Sequence, residues 1–321
     1  MRWRCVLHLD HQVSLMEART ALLRGLALVL SGFATVAAAD DEDQKDPSQW
    51  VGSRYLILSS FAYAPNFDKA LPDEPATFAA VLDPTTGKVE QLHRIEETCN
   101  GPMGNQPTRP GCAARVAAEA AAYERALAPF RKAGALTDAV VARRAPASKV
   151  LVEVWSNEGP LEATRDDATS AFFSGAKGTG FRVRVAAPGR PIHEAPLPSD
   201  SPPEVRVFWA PDEQWVAVVS DAGALRLPRP FALPGIAKVD LLDAGLGAKS
   251  AALVATLKAA GWAPAHQAKA KAKREKSQVF VMKGFEEDGK AVATLLGLPA
   301  DSVQPLTWPS PYAVTIAAAG E

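Results

Sequence analysis

Val205-Arg206-Val207-Phe208-Trp209-Ala210-Pro211-Asp212-Glu213-Gln214-Trp215-Val216-Ala217-Val218-Val219 is the stretch that sets the fold class. Two runs of β-branched and aromatic residues stand on either side of Ala210-Pro211-Asp212-Glu213, whose proline and acidic residues favour a turn. The spacing predicts a compact antiparallel hairpin. Working outward, the same pattern recurs upstream. Thr77-Phe78-Ala79-Ala80-Val81-Leu82 leads through Asp83-Pro84-Thr85-Thr86-Gly87-Lys88 into Val89-Glu90-Gln91-Leu92, a second hairpin. Tyr55 to Leu58, Val150 to Trp155 and Phe181 to Val185 are further strand-like runs. Residues 53–231 therefore read as a β-rich antiparallel domain.

One helix interrupts it. Val116, Ala120, Tyr123, Leu127 and Phe130 fall at i, i+4, i+7, i+11 and i+14, an apolar stripe of helical period that serves core packing. Two of the hairpin units, Asp83 to Val89 and Trp209 to Val218, resemble turns of secreted β-propeller blades. About three such units are present, against the four to eight blades of a closed propeller. The expectation is a partial propeller-like assembly or a sandwich, not a closed ring.

Leu227-Pro228-Arg229-Pro230-Phe231-Ala232-Leu233-Pro234-Gly235 reads as a linker, because prolines punctuate it. Beyond it the periodicity changes. Ala237 to Ala244 is a strand ending at Gly245-Leu246-Gly247; a helix carrying Leu253, Val254 and Leu257 stops at Gly261. Gln278 to Met282 is a strand, a helix with an acidic first turn runs from about Glu286 to Gly297, and Tyr312 to Ile316 is the last strand. The order is β-α-β-α-β, with room for a further short strand near Ala263–Ala268, and two helices on one face of a small sheet make a two-layer α+β module.

These residues carry a resemblance. Val239 to Asp243, Gly245-Leu246-Gly247, Leu253 to Leu257, Gly261-Trp262, Val279 to Met282, Gly284 to Ala291, Leu296-Gly297 and Val314 to Ile316 follow the order of motifs in the carboxy-terminal domain of the LytR/CpsA/Psr cell-envelope family. The module resembles that domain over residues 236–318, with Ala244 in place of the usual turn asparagine and a lengthened loop at 305–311. The resemblance implies an accessory or binding element. It implies no enzymatic half, since residues 53–231 have no counterpart of the family's transferase domain.

The amino terminus reads as an address. From Met16, Arg19 and Arg24 precede an apolar run over Gly25 to Val36 and then Ala37-Ala38-Ala39, the order of a cleaved secretory signal peptide. The run is too short for a comfortable membrane span of about 20 residues. Residues 1–15 fit no such segment and read as a start assigned too early. Residues 40–52, opening on Asp40-Asp41-Glu42-Asp43, form an acidic linker. An exported chain cleaved near Ala39 keeps two cysteines, Cys99 and Cys112, around a Gly- and Pro-rich loop, which predicts a disulfide.

Composition bounds the rest. The 321 residues are 47% hydrophobic and 22% charged, enough to bury a core. Thirty-five basic against thirty-six acidic residues give a net charge of −1, which argues against a nucleic-acid partner. Asp243 to Ser250 has glycines in the manner of a nucleotide loop but lacks the second Gly of a P-loop at Ala248 and the third of the dinucleotide fingerprint at Ser250. Asp166-Asp167 and Glu286-Glu287 are adjacent in sequence, so neither pair faces itself across a cleft, and they read as solvated surface. His93, His193 and His266 stand apart and read as ordinary surface or turn residues. No catalytic residue, metal ligand or cofactor is expected.

Lys269, Lys271, Lys273, Arg274 and Lys276, opposed only by Glu275, form the densest charge run. A solvated loop and a contact with an anionic envelope polymer or surface both account for it. If the segment is extended, alternation projects Lys269, Lys271 and Lys273 to one side. The expectation is a non-enzymatic protein of the periplasm or the exterior, a scaffold or binding module for an envelope polymer or envelope protein, with no transmembrane span after cleavage. The rival expectation is an envelope hydrolase or transferase with its site in the β-rich domain.

Overall fold

Trp50 and Val51 are almost fully buried, and with them the first sheet begins earlier than the acidic linker expected over 40–52 allows. The computed structural model describes residues 48–64, 74–95, 110–139, 141–166, 170–173, 178–197, 204–220 and 230–320, and Ser48–Glu321 is one compact unit. The expected targeting segment and Cys99 lie outside the described residues.

The first sheet contains β1 (Gln49–Val51), β2 (Tyr55–Ala64), β3 (Glu74–Asp83) and β4 (Lys88–Ile95), all antiparallel, with β5 (Leu136–Asp138) added beyond β1 in the order β4-β3-β2-β1-β5. The predicted turn closes as Asp83 opposite Lys88, with the Asp83 carboxylate accepting from the backbone N–H of Thr85 at 2.9 Å. Period-two alternation separates the faces. Ile57, Ala79 and Val81 pack on the helix α1 (Cys112–Arg131), while Leu56, Leu58, Ala80 and Leu82 face the main core. In α1 the buried stripe is Cys112, Val116, Tyr123 and Leu127. Ala120 and Phe130 of the expected stripe sit at its half-buried margin, and Phe130 meets the Tyr55 ring edge-on.

Next come β6 (Val152–Ser156), β7 (Gly159–Pro160), β8 (Arg165–Asp166), β9 (Ala171–Phe172), β10 (Arg182–Val185), β11 (His193–Pro196), β12 (Glu204–Trp209), β13 (Trp215–Ser220) and β14 (Pro230–Pro234). They form two antiparallel sheets, β11-β10-β6-β7 and β14-β13-β12-β9-β8. The hairpin that set the fold class is β12–β13, with Trp209 opposite Val216. Every residue of β13 is buried. Val216 and Val218 pack with Val152, Val154, Val183 and Val185 of the neighbouring sheet, whereas Trp215, Ala217 and Val219 turn to the main core. Burial on both faces is why this strand reads as an unbroken apolar run although its sheet is antiparallel.

The linker expected over 227–235 is corrected by β14, which pairs along β13 from Val219–Pro230 to Trp215–Pro234. Two prolines are tolerated because β14 is an edge strand, where a missing N–H leaves no ladder bond unmade. Phe231 and Leu233 pack into the core between the two sheets, and that burial outweighs the turn tendency of the prolines.

The carboxy-terminal layer contains β15 (Val239–Asp243), α2 (Ser250–Ala259), β16 (Pro264–Lys269), β17 (Gln278–Val281), α3 (Glu286–Leu295), β18 (Val303–Pro305) and β19 (Val314–Ala318). The sheet order is β16-β15-β19-β17-β18, parallel except between β17 and β19. The possible strand near 263–268 is present as β16. The sequence reading missed β18, a three-residue edge strand too short to show a period. At Gly289 a Cβ would stand 2.2 Å from Val281 Cγ1, so a glycine lets α3 lie directly on β17.

The two regions share one core. Trp50, Leu82, Phe208 and Trp215 lie in the same apolar cluster as Val239, Leu257, Phe285 and Ile316. Polar ties reinforce it. The Arg190 guanidinium stacks 3.9 Å from the Trp262 ring and donates to the carbonyls of Ala237 and Gly261 at 2.8 and 2.9 Å. Burial lowers its pKa, and the nearby Asp288 carboxylate opposes that shift. The fold is thus β-rich, antiparallel in its first three sheets and mainly parallel in the fourth, with three α-helices among the described residues.

Candidate functional site

The helix-facing side of the carboxy-terminal sheet is apolar: Val239, Leu241, Val279, Val281, Val314 and Ile316 face the core. Alternation sends the intervening residues to the opposite side, and four of them line up in one transverse row. Phe280 is opposite Thr315, Thr315 is opposite Asp240, and Asp240 is opposite His266. His266 Nδ1 lies 2.8 Å from Asp240 Oδ1, with the imidazole side chain half exposed and the carboxylate mostly buried. Thr315 Oγ1 is buried and has no hydrogen-bond partner among the described residues.

The loop from Leu306 to Tyr312 borders both ends of this row. Trp308 meets Phe280 edge-on at 4.9 Å between ring centroids, and Tyr312 stacks on His266 at 5.5 Å with an interplanar angle of 11°. Trp308 is 40% exposed, one of few large apolar side chains left open to solvent among the described residues. The loop is held by its ends: Leu306 N–H bonds the Val281 carbonyl, and the Gln214 side chain bonds the Pro311 carbonyl and the Ala313 N–H. Arg274 closes one side, its guanidinium 5.1 Å from the Phe280 ring and hydrogen-bonded to the Gln278 side chain.

The basic run divides at this sheet. Its first member, Lys269, ends β16 and lies with Gln267 on the helix side, where a cavity of about 320 Å³ is lined by Leu241, Asp243, Ser250, Gln267 and Lys269. The Asp243 carboxylate there has a lowered pKa, because it accepts from the backbone N–H groups of Gly245 and Leu246 and because Lys269 is near. These bonds are those of the tight strand-to-helix turn. Lys271, Lys273, Arg274 and Lys276 follow the strand end and are exposed. The expected one-sided projection of Lys269, Lys271 and Lys273 is therefore corrected. The ladder that would impose alternation stops at Lys269, and the chain bends after it.

Of the two expected disulfide cysteines, Cys112 opens α1, is buried and is not a free thiol. Of the three histidines expected at ordinary surface or turn positions, His93 and His266 are exposed and His193 is the departure. His193 Nε2 lies 2.8 Å from Asp288 Oδ2, both side chains being nearly buried where β11 meets α3, and His266 has Asp240. His93 lies 3.8 Å from Glu119, and both are partly exposed. Glu286 and Glu287 do local work: Glu286 accepts from the Gly284 N–H, and Glu287 pairs with Lys290, whose pKa it raises. Of the other acidic pair, Asp166 belongs to β8 and Asp167 is outside the described residues.

Sequence reading singled out none of Asp240, Thr315, Phe280, Tyr312 or Trp308 as site residues. A signal for two of them was present. Asp240 and Thr315 are the single polar residues in Val239-Asp240-Leu241-Leu242 and Val314-Thr315-Ile316, both in the phase opposite to the core.

Comparison with protein-family models, with curated proteins and with solved structures finds no match to this chain.

Proposed function

We propose that this is an exported, non-enzymatic protein of a cell envelope, periplasmic or secreted after cleavage near Ala39, that serves as a scaffold or binding module for an anionic envelope polymer. The observation that carries this reading is the exposed cationic segment at Lys271, Lys273, Arg274 and Lys276, which adjoins the aromatic and polar sheet face. The LytR-C-like order of motifs over residues 236–318 supports the same reading. Among the described residues no helix is long and apolar enough to cross a membrane.

For the β-rich half we favour the sandwich description over the propeller-like one. The supporting observation is the core shared by Val152, Val154, Val183 and Val185 with Val205, Val207, Val216 and Val218 of the next sheet. We also propose the Cys99–Cys112 disulfide, which ties the entry of α1 to the chain after β4. Mass mapping of non-reduced peptides should recover that link from protein taken from its native compartment; two free thiols would remove it.

Changing Lys271, Lys273 and Lys276 together to Gln should weaken co-sedimentation with cell-wall preparations. The wild-type interaction should fall steeply between low and physiological salt, where screening reaches about 8 Å. Thermal stability should hold within about 0.5 kcal/mol, as for other exposed substitutions. Equal, salt-insensitive pelleting of both proteins would reject the reading.

A second reading, an envelope hydrolase or transferase, draws on one observation outside the β-rich half where it was expected. Asp240 holds His266 through Nδ1, the arrangement that orients a general base. Activity-based labelling of the mature protein, with His266→Gln as control, separates the two readings.

A further inference from the structure

We infer that the sheet face built on Phe280, Thr315, Asp240 and His266 is a saccharide-binding platform, so that the anionic polymer proposed above is a glycan. The inference rests on that proposal and goes further by naming the ligand class. Three observations carry it.

The row is polar at its centre and aromatic at its ends. Thr315 and Asp240 occupy the middle, while Phe280 with Trp308 and His266 with Tyr312 occupy the flanks. Adjacent strands lie about 4.8 Å apart, so the two aromatic ends are separated by three spacings, roughly 14 Å. That span suits a short oligosaccharide lying across the strands. Sugar rings present apolar C–H faces and polar edges, and aromatic rings beside hydroxyl and carboxylate groups complement both.

The face is not a simple core surface. Trp308 remains 40% exposed while touching Phe280 only edge-on, and the imidazole of His266 is likewise open. Beneath them lies a polar group that the fold leaves unsatisfied, the buried Thr315 hydroxyl. A buried hydroxyl without a partner costs free energy, and in a folded protein it calls for a reason. Thr315 is 1% exposed, so a water held beneath the aromatic border, not the ligand itself, supplies that partner.

The charges select the kind of glycan. Arg274 lies over the Phe280 end, and Lys271, Lys273 and Lys276 are exposed in the adjoining connection, opposed there by Glu275. Asp240 is the acidic group of the row, and His266 engages it. The surroundings of the platform are cationic, which favours a sugar carrying carboxylate or phosphate groups over a neutral one.

The test uses the mature protein and three probes: a uronic-acid oligosaccharide, its neutral counterpart, and polyphosphate as a polyanion without sugar rings. Calorimetry and quenching of tryptophan fluorescence report binding. The wild type should bind the uronic-acid oligosaccharide more tightly than either of the others. Trp308→Ala and Tyr312→Ala should each weaken that binding about tenfold and leave polyphosphate binding unchanged. The Lys271, Lys273 and Lys276 variant should weaken both. Denaturation midpoints of the aromatic variants, compared with wild type, verify that the fold is intact. Unchanged affinity of Trp308→Ala for the oligosaccharide would overturn the platform while leaving the cationic contact standing. Wild-type binding of polyphosphate as tight as that of the oligosaccharide would overturn it in the same way. Salt-insensitive or absent binding to every probe would overturn both proposals.

Discussion

Replacing Gln214 with Leu should lower the stability of the protein by about 4–5 kcal/mol, the largest effect of any single side chain considered. Gln214 is 4% exposed and lies in the turn between β12 and β13. Its Oε1 accepts from Ala313 N–H at 2.8 Å and from Lys238 N–H at 3.2 Å; its Nε2 donates to the Pro311 carbonyl at 2.7 Å and to the Asp212 carboxylate at 2.8 Å. One amide thus joins the hairpin of the β-rich region to the strands β15 and β19 at their starts. Leucine fills a similar volume but leaves the buried Ala313 N–H and the part-buried Lys238 N–H and Pro311 carbonyl without this partner. Each such group costs about 1–3 kcal/mol. Urea denaturation should show a lower midpoint with an unchanged slope. Gln214→Glu keeps the acceptor oxygen but sets a carboxylate beside Asp212, and should fall between the two. A midpoint for Gln214→Leu within error of wild type would show that the tie contributes nothing.

Gly235→Ala should cost about 3 kcal/mol through the same turn by a different cause. A Cβ built on Gly235 would stand 2.3 Å from the Glu213 carbonyl oxygen and 3.0 Å from the Trp209 ring. The backbone cannot yield easily, because Gly235 N–H bonds the Gln214 carbonyl and Ile236 N–H bonds the Glu213 carbonyl, both at 2.7 Å. Glu213 is itself held at φ 58, its carboxylate accepting from the backbone of Ala147 and Ser148; those bonds lower its pKa against the opposing effect of burial. Inserting a methyl group into a packed site costs about 1–3 kcal/mol, and a backbone obstacle puts this one at the upper end. Hydrogen exchange should locate the loss in β14 and the start of β15. Normal protection there, with an unshifted midpoint, would contradict the close approach.

Both predictions fall on one turn, and the turn also reaches the candidate site. Gln214 fixes Pro311 and Ala313 on either side of Tyr312, the residue stacked on His266. Loss of the tie should therefore loosen the aromatic border of the platform as well as the core. The Trp308 and Tyr312 variants probe the platform without touching the tie, so the two effects can be read separately.

Much of the architecture was legible before any tertiary contact was known, because local chemistry imposes it. The turn at Asp83 to Lys88, the β12–β13 hairpin, the stripe of α1 and the helix stops at Gly261 and Gly297 follow from residues close in sequence. Where non-local burial competes with local preference, the local reading fails. Pro230 to Pro234 has the composition of a linker, yet burial of Phe231 and Leu233 makes it an edge strand. Trp50 and Val51 follow an acidic stretch, yet β2 and β5 pair on either side of them.

The site divides in the same way. By itself the sequence determined that a cationic run precedes β17 and that Asp240 and Thr315 break apolar strands in the phase away from the core. Only the tertiary structure decided that these two stand side by side, because strand order β16-β15-β19-β17 is set by which faces can be buried together and not by chain order. The same register brought His266 to Asp240 and Phe280 to Thr315, and the return of the 306–312 loop brought Trp308 and Tyr312 to the ends of the row. It also separated Lys269 from the rest of its run, since a strand that ends two residues later would have put Lys271 on the ladder too. Side-chain direction on a sheet depends on where pairing stops, and pairing is a property of the partner strand as much as of the strand itself.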